Sequence, residues 1–512
     1  MQSQNEGYLQ RFQRYAMRRF HTMDLATIAI ATILILLFYL WFRRHDPRLP
    51  PCPVRPLPVV VHLLSLDKDP REQYKRWRQK CGDIFSLYLG GQLAVVFNGY
   101  SLLYKTFVKR GDEFTARPPA FFDEATGMVG HGILFTDGDL WKEQRAKTVQ
   151  ILKKLGMGKN VLAERIEEET EFFLKALSDL HGKPTDIREL TYACVSNVIS
   201  FIVFGHRFEY NDQRFQNALQ AMTAVMNNLQ STSVLNFLTF VRFLPFDLTG
   251  GRETKMSVDQ ILNFVRSEMV KLQQQNDQKE NFISAYESER NDLLEKGIKT
   301  TLDNEQLLKV VYELFFAGSE TTSQTIIWCV LYILNYPEVQ EKIYREIVEN
   351  VGTDRMPNIL DRTKLPYLGA VTMETLRLSC MVPYSLPHSC YKDVEVNGYT
   401  IPKGTFIIPN APSILHDEKI WGEDVMSFRP ERYLDVNGKL KNPEEFVPFS
   451  LGRRVCLGES LANMELFIFL SSMFQRFEMK PEDPGCLPSM DFIPGLTSRS
   501  LPFKVRLVER QP

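Results

Sequence analysis

The stretch "LATIAIATILILLFYLWF", Leu25–Phe42, constrains this chain more than any other. It is uncharged throughout and as a helix would reach about 27 Å, close to one hydrocarbon thickness. The run outlasts a usual signal-peptide core, and bulky Tyr39, Trp41 and Phe42 stand where a small-residue cleavage site would be. A retained single-span anchor is therefore expected. Arg11, Arg14, Arg18 and Arg19 precede it and Arg43, Arg44, Arg48 and Arg55 follow, so flanking charge does not orient it. The basic leader, residues 1–24, leaves mitochondrial import as an alternative destination.

Residues 43–62 form the next unit, with five prolines from Pro50 to Pro58. Proline fixes φ and favours extended chain, so this is a stiff hinge between membrane and body. The body, residues 63–512, shows no second linker and no repeat. "DIFSLYLGGQLAVVFNGY" reads as a hairpin turning at Gly90-Gly91, and "DVEVNGYTIPKGTFIIP" as short strands turning at Asn397-Gly398. Asp139–Leu155, Val161–Leu180 and Asn304–Leu334 have helical period. The expected class is mainly α with small β-sheets. Val234–Leu248, "VLNFLTFVRFLPFDL", reads equally as core or as a surface that dips into a membrane beside a substrate entrance.

A net charge of −1 and the lack of any base-reading motif give no support to nucleic acid as a partner. The eight cysteines form no C-x-x-C pair, which suits a reducing compartment better than a disulfide scaffold. No Asn-x-Ser/Thr acceptor occurs, in keeping with a body that stays out of the secretory lumen.

One of those cysteines has special surroundings. In "PFSLGRRVCLGES", Cys456 sits between Gly452 and Gly458 with Arg454 two positions before it. An apolar helical stretch follows at once, so the thiol lies at a helix N-terminus. That position and the neighbouring arginine both favour thiolate, the form that binds metal or attacks. A buried structural cysteine is the plainer alternative.

Phe449-x-x-Gly452-x-Arg454-x-Cys456-x-Gly458 is similar to the haem-binding signature of the cytochrome P-450 family of haem-thiolate monooxygenases. Ala317–Thr322, "AGSETT", resembles that family's distal helix motif. "ETLR", with Glu374 and Arg377, and the later Pro430-Glu431-Arg432 resemble its paired structural motifs. "WKEQR", "SNVISFIVFGHRFEY" and "YSLPHSCYKDVEVNGYTIPKGT" are similar to the animal microsomal steroid and xenobiotic hydroxylase branch. Cys52, Val61 and His131 depart from the usual pattern, and His131 bears on how apolar the substrate cavity is.

The resemblance implies haem b with Cys456 as axial ligand, and propionates held by Arg117, Trp141, Arg145, His388 and Arg454. It implies proton delivery by Thr321 with Glu320, and a structural network of Glu374, Arg377 and Arg432. An apolar pocket drawing on Leu134, Phe135, Ala317, Val382 and Leu386 would take a steroid, fatty acid or foreign lipophile. The reaction would insert one oxygen atom from O₂, with electrons from NADPH through a flavoprotein reductase and cytochrome b5 as a possible second donor. The place would be the endoplasmic reticulum membrane, single-pass, with the catalytic body in the cytosol. Lys142, Lys147, Lys153, Lys154 and Arg453 are the basic residues expected to meet the reductase. Two rivals stand beside this reading: a haem-thiolate isomerase or dehydratase that needs no reductase, and a non-catalytic haem sensor.

Overall fold

Helix α1 covers Leu25–Phe42 in the structure, a computed structural model that describes residues 25–42, 46–56, 62–238, 241–242, 247, 249–275 and 280–511. The basic leader, Val61 and part of the aromatic segment lie outside the described residues. Within α1 the described side chains run from 27 to 38, about 18 Å of helix. Among the described residues no helix is long and apolar enough to cross a membrane.

After the hinge come α2 (Arg71–Cys81) and the predicted hairpin, β1 (Ile84–Leu89) with β2 (Gln92–Asn98). Ile84 faces Phe97 and Leu89 faces Gln92 across it. The short helix α3 (Phe121–Thr126) leads to α4 (Gly138–Lys154), α5 (Asn160–Ser178), α6 (Arg188–Phe204) and α7 (Gln213–Thr232). Next are α8 (Gly251–Gln275), α9 (Phe282–Glu295) and the long α10 (Asn304–Asn335). Then follow α11 (Pro337–Asn350) and α12 (Pro366–Ser379). Short strands β3 (Val394–Val396), β4 (Tyr399–Ile401) and β5 (Phe406–Asn410) precede α13 (Glu459–Arg476). Strands β6 (Phe477–Pro481), β7 (Phe492–Ile493), β8 (Arg499–Ser500) and β9 (Val505–Glu509) close the chain.

The sheets are small, as expected, but one joins distant parts of the sequence. Strand β5 adds in parallel to β2, pairing Ala94 with Phe406 and Asn98 with Asn410. Parallel pairing needs a long crossover, and here most of the helices lie between the two strands.

Helix α10 is the axis of the body. Asp303 caps its start by accepting from the Gln306 amide at 2.7 Å, and most of its 32 residues are buried. An apolar helix of that length is stable only where neighbours cover it all round. Helix α6 does so at close range because of Gly318, where a Cβ would fall 2.6 Å from Ile199 Cδ1. Helices α4, α5, α6, α12 and α13 all contribute side chains to the core around α10. In the described part of the aromatic segment Leu235 alone is buried, while Val234, Phe237, Leu238 and Val241 are half-buried. Phe237 stacks edge-on against Phe406 at 5.5 Å. In the hinge, Cys52 donates to the Val54 carbonyl at 3.0 Å beside buried His62, which anchors the chain to β1.

Candidate active site

The cysteine loop is shaped by one close approach. Gly452 has φ +75°, and a Cβ there would come within 1.8 Å of the Phe107 carbonyl oxygen. Glycine is thus required for the loop to lie against the 104–109 segment. The Cys456 amide donates to the Phe449 carbonyl at 3.0 Å, which turns the thiol toward the start of α13.

The thiol's electrostatics differ from the expectation in two respects. Arg454 does not serve it: this guanidinium donates to the carbonyls of Thr115, Ile133 and Thr136 and lies 3.9 Å over the Trp141 ring. The cation that acts on the sulfur is Arg145 from α4, whose Nη2 donates to the Val455 carbonyl at 2.6 Å. Further, the Cys456 pKa is raised, with burial as the leading cause. The amides of Gly458 and Glu459 and the charge of Arg145 pull it down by less. The residue as a whole is nonetheless exposed. Dense surroundings and open area together describe a group on the wall of an internal recess. Without a metal cation the thiol form prevails; a bound cation is what stabilises thiolate there.

Arg117, Arg145, Arg454, His388 and Trp141 are brought together as one donor set, with Trp141 and His388 buried and the three arginines half-buried. Arg117 donates to the carbonyls of Leu134, Leu386 and Pro387 at 2.8, 3.1 and 2.5 Å. Its pKa is held well below the usual range by burial and then by Arg454, and burial lowers Arg454 itself to about 10. His388 Nδ1 faces the Phe114 carbonyl at 2.8 Å, and a carbonyl only accepts, so that nitrogen carries the proton. Burial, Arg117 and Arg454 push His388 well down. Trp141 Nε1 is buried without any partner. Among the described residues no carboxylate lies within ion-pair distance of Arg117, Arg145 or Arg454. Three half-buried cations and an orphaned N–H, with Asp123, Asp137 and Glu313 acting on the guanidinium groups only from beyond ion-pair distance, fit a ligand that brings its own carboxylates. The donor chemistry therefore suits the propionates of a haem.

Across the middle of α10, burial changes residue by residue. Phe316, Ala317, Gly318 and Thr321 are half-buried between fully buried neighbours, so this turn borders a recess. Thr321 Oγ1 donates to the Ala317 carbonyl at 3.0 Å. Glu320 points elsewhere: it accepts from the Tyr192 hydroxyl on α6 and from Thr497 Oγ1 at 3.0 Å. Burial raises its pKa. Thr322 turns a third way and meets Glu465 of α13, a carboxyl that burial lifts to about 8. The three adjacent polar residues therefore serve three different neighbours. Nothing in the sequence marked Tyr192, Thr497 or Glu465, since each sits in an apolar or loop segment without a pattern of its own.

The 128–136 loop carries two of the pocket residues and is pinned by Glu313 of α10. That carboxyl accepts from the amides of Ile133 at 2.5 Å and Leu134 at 3.2 Å, and burial raises it to about 8. Gly132, with φ +79°, is required there because a Cβ would overlap the Glu313 carboxyl at 2.4 Å. Phe135 pairs with Phe122 of α3 at 6.0 Å, while Val382 and Leu386 are half-buried. His131 is not turned into this space; its Nδ1 donates back to the Val129 carbonyl at 2.9 Å.

The Glu374, Arg377 and Arg432 network is present in full. Arg377 grips Glu374 through two nitrogens at 2.8 and 2.9 Å, and Arg432 Nε reaches the same carboxyl at 2.9 Å. The remaining guanidinium donors go to the carbonyls of Leu415, Val425 and Trp421. Of the basic residues expected to dock a reductase, most are paired. Lys142 meets Asp139, Lys147 meets Glu289, Lys154 meets Glu280 and Arg453 meets Asp112. Lys153 is exposed.

A mainly helical body with one recessed cysteine before a helix, an arginine set lacking carboxylates, and a polar break in the central helix defines a haem-thiolate enzyme. Comparison with known proteins agrees. The family described as Cytochrome P450 matches residues 50–507. The chain is 36% identical over 471 residues to cytochrome P450 2C3 of Oryctolagus cuniculus, covering 90% of this chain and 94% of that protein. It is 36% identical over 458 residues to cytochrome P450 2J3 of Rattus norvegicus, covering 89% and 90%. It is 35% identical over 471 residues to cytochrome P450 2E1 of the rabbit, covering 89% and 92%. This chain belongs to the cytochrome P450 family and is a monooxygenase of that family.

Proposed function

We propose that the chain is a single-pass enzyme of the endoplasmic reticulum membrane. Residues 25–42 would be the anchor, 43–62 the hinge, and 63–512 a cytosolic body that oxidises a steroid, fatty acid or foreign lipophile. Haem b is held by Cys456 as ligand, with Arg117, Trp141, Arg145, His388 and Arg454 around its propionates. The observation that carries this reading is the half-buried arginine set with no carboxylate at ion-pair distance.

When bound, the haem supplies O₂ binding, O–O cleavage and transfer of one oxygen atom to a C–H or C=C bond. The chain supplies the rest. Gly452 sets the Cys456 loop, and Arg145 with the amides of Gly458 and Glu459 stabilises negative charge on the sulfur. Leu134, Phe135, Ala317, Val382 and Leu386 exclude water and orient the substrate. Thr321 donates to Ala317 and keeps lone pairs free, so it can fix a water molecule at the half-buried turn of α10. Glu320 is the proton store behind it, reached by rotation away from Tyr192. Electrons come from NADPH through a flavoprotein reductase, with cytochrome b5 as a second donor. Lys153 offers the readiest basic contact for these partners, because the other lysines must first leave their acidic neighbours.

The experiment is reconstitution with NADPH-cytochrome reductase and a panel of lipophiles, reading NADPH, O₂, peroxide and oxidised product together. Product formation that requires reductase is expected. Thr321→Ala should keep haem and substrate affinity but divert oxygen to peroxide, within the 10²–10⁴-fold typical of positioned proton transfer. Rearrangement of an organic peroxide without reductase would favour the isomerase or dehydratase alternative. Haem binding without any turnover would favour a sensor.

A further inference from the structure

Glu320 ends a chain of side chains whose purpose the proposed reaction leaves open. Its Oε2 accepts from the Tyr192 hydroxyl of α6, and its Oε1 from Thr497 Oγ1 at 3.0 Å. Gln324, one turn further along α10, donates from Nε2 to the Tyr192 oxygen at 2.9 Å. All four residues are buried. The hydrogens therefore point one way, from Gln324 through Tyr192 to Glu320, which suits a carboxylate. The far atom of the amide, Gln324 Oε1, is buried with no partner among the described residues. No second bond on that oxygen fixes which way the amide faces.

A proton store must also exist with its proton on. The charged and titratable groups that face Glu320 are Tyr192 from α6 and Arg499 from β8, while Glu465 of α13 meets Thr322 instead. Burial favours the acid form, and Tyr192, Arg499 and Thr497 favour the carboxylate. Arg499 acts as a charge alone, with no ion pair among the described residues. Burial, and after it Glu320, hold the Tyr192 hydroxyl well above its usual range, so Tyr192 keeps its hydrogen in either state. Once protonated on Oε2, Glu320 is a donor there, and Tyr192 must turn its own hydrogen away to receive it. The group within reach of that hydrogen is the Gln324 amide, which presents its oxygen when it turns over. A buried hydroxyl left without an acceptor would be costly.

We propose that Tyr192 and Gln324 are positioning residues for proton delivery, a hydrogen-bond chain that reverses when Glu320 gains or loses its proton. With Glu320 ionised, Gln324 Nε2 donates to Tyr192 and Tyr192 donates to Glu320. With Glu320 protonated, Glu320 donates to Tyr192 and Tyr192 donates to Gln324 Oε1. One proton is gained, on Glu320, and the other two residues keep their own hydrogens throughout. This rests on Glu320 as the proton store assigned above. The competing arrangement puts the proton on Oε1, facing Thr497, and leaves Tyr192 and Gln324 pointing one way in both states.

The test follows the carboxylic-acid C=O stretch of Glu320 across pH by infrared difference spectroscopy, on full-length ferric holoenzyme isotopically labelled in glutamate. Glu320→Gln identifies the band by removing it. Tyr192→Phe takes a donor from the carboxylate and should move the titration up by about one pH unit, the size of one hydrogen bond to a charge. Gln324→Met takes away the acceptor that the acid form needs and should move it down by about half a unit. Gln324→Leu serves the same arm where methionine does not fold. The pH at which NADPH is best coupled to product should move in the same two senses, with haem content unchanged. A rise in both variants would overturn the proposal in favour of the one-way arrangement. No shift in either would overturn it too, by making both residues mere packing between α6 and α10. Failure of Glu320 as the store would show separately, as a Glu320→Gln enzyme that couples normally, because the infrared titration reads the chain without turnover.

Discussion

Arg377 and Arg432 meet a carboxylate; Arg117, Arg145 and Arg454 do not. The first set is shielded from solvent and the second is half-buried, and both send guanidinium donors to backbone carbonyls. The difference lies in what balances the charge. In the first set Glu374 is 0% exposed and accepts from both arginines, so the cluster is complete within the chain. In the second set, burial with repulsion from Arg454 depresses Arg117, burial with repulsion from Arg145 depresses Arg454, and Trp141 Nε1 stays bare. A closed cluster is a structural joint. An open one has been left for an anionic guest.

That contrast gives a graded set of tests. The largest effect should follow from breaking the closed cluster. Glu374→Ala would strand Arg377 with no anion and leave Arg432 only Asp424 at 3.5 Å, and stranding a buried charge costs about 3–5 kcal/mol. Against a total stability of roughly 5–15 kcal/mol, that should remove most folded protein, visible as lost soluble yield and a flattened thermal transition. A normal melt would show that the joint is dispensable.

An intermediate effect should follow at the open cluster. Arg454→Gln removes a cation that repels Arg117, so the protein without haem should melt at the same temperature or above. Haem retention should fall by roughly ten- to a hundredfold, in line with loss of one charge-assisted contact of roughly 1.5–3 kcal/mol. The two readouts moving apart is the signature; a parallel loss of both would make this cluster structural as well.

The smallest effect concerns Glu313, which belongs to neither set. Burial raises this carboxyl from 4.5 to about 8 in the folded state. Between those values the folded protein holds a proton that the unfolded chain has released. Its stabilising share is therefore whole below about pH 4.5 and is lost as pH rises through about 8. Glu313→Gln keeps an acceptor for the Ile133 and Leu134 amides and removes this titration. The fall in melting temperature across that window should become shallower, though not flat, because Glu465 titrates in the same direction. An unchanged slope would show that Glu313 titrates normally.

The closed cluster was legible in the sequence because its three residues sit in fixed motifs and meet as expected. The hairpin and the strands around Asn397-Gly398 were legible too, from turn residues between apolar runs. The parallel pairing of β2 with β5 was not, since no local pattern encodes a partner hundreds of residues away. At the cysteine loop, sequence adjacency misled: Arg454 lies two residues from Cys456 yet faces Trp141, and Arg145 from another helix takes its place. Glu320 and Thr321 are neighbours in sequence but lie about 100° apart around the helix, and so they serve different faces of α10. Side-chain direction, set by packing, was what the letters left out.

The account stands on Cys456 as the ligand of a bound haem, and the ferrous carbon monoxide spectrum of purified full-length protein tests it most directly. The wild type should show the red-shifted Soret band of thiolate ligation, and Cys456→Ala should lose it while its far-ultraviolet circular dichroism keeps the helical signal. An alanine variant that retains the band would contradict the assignment.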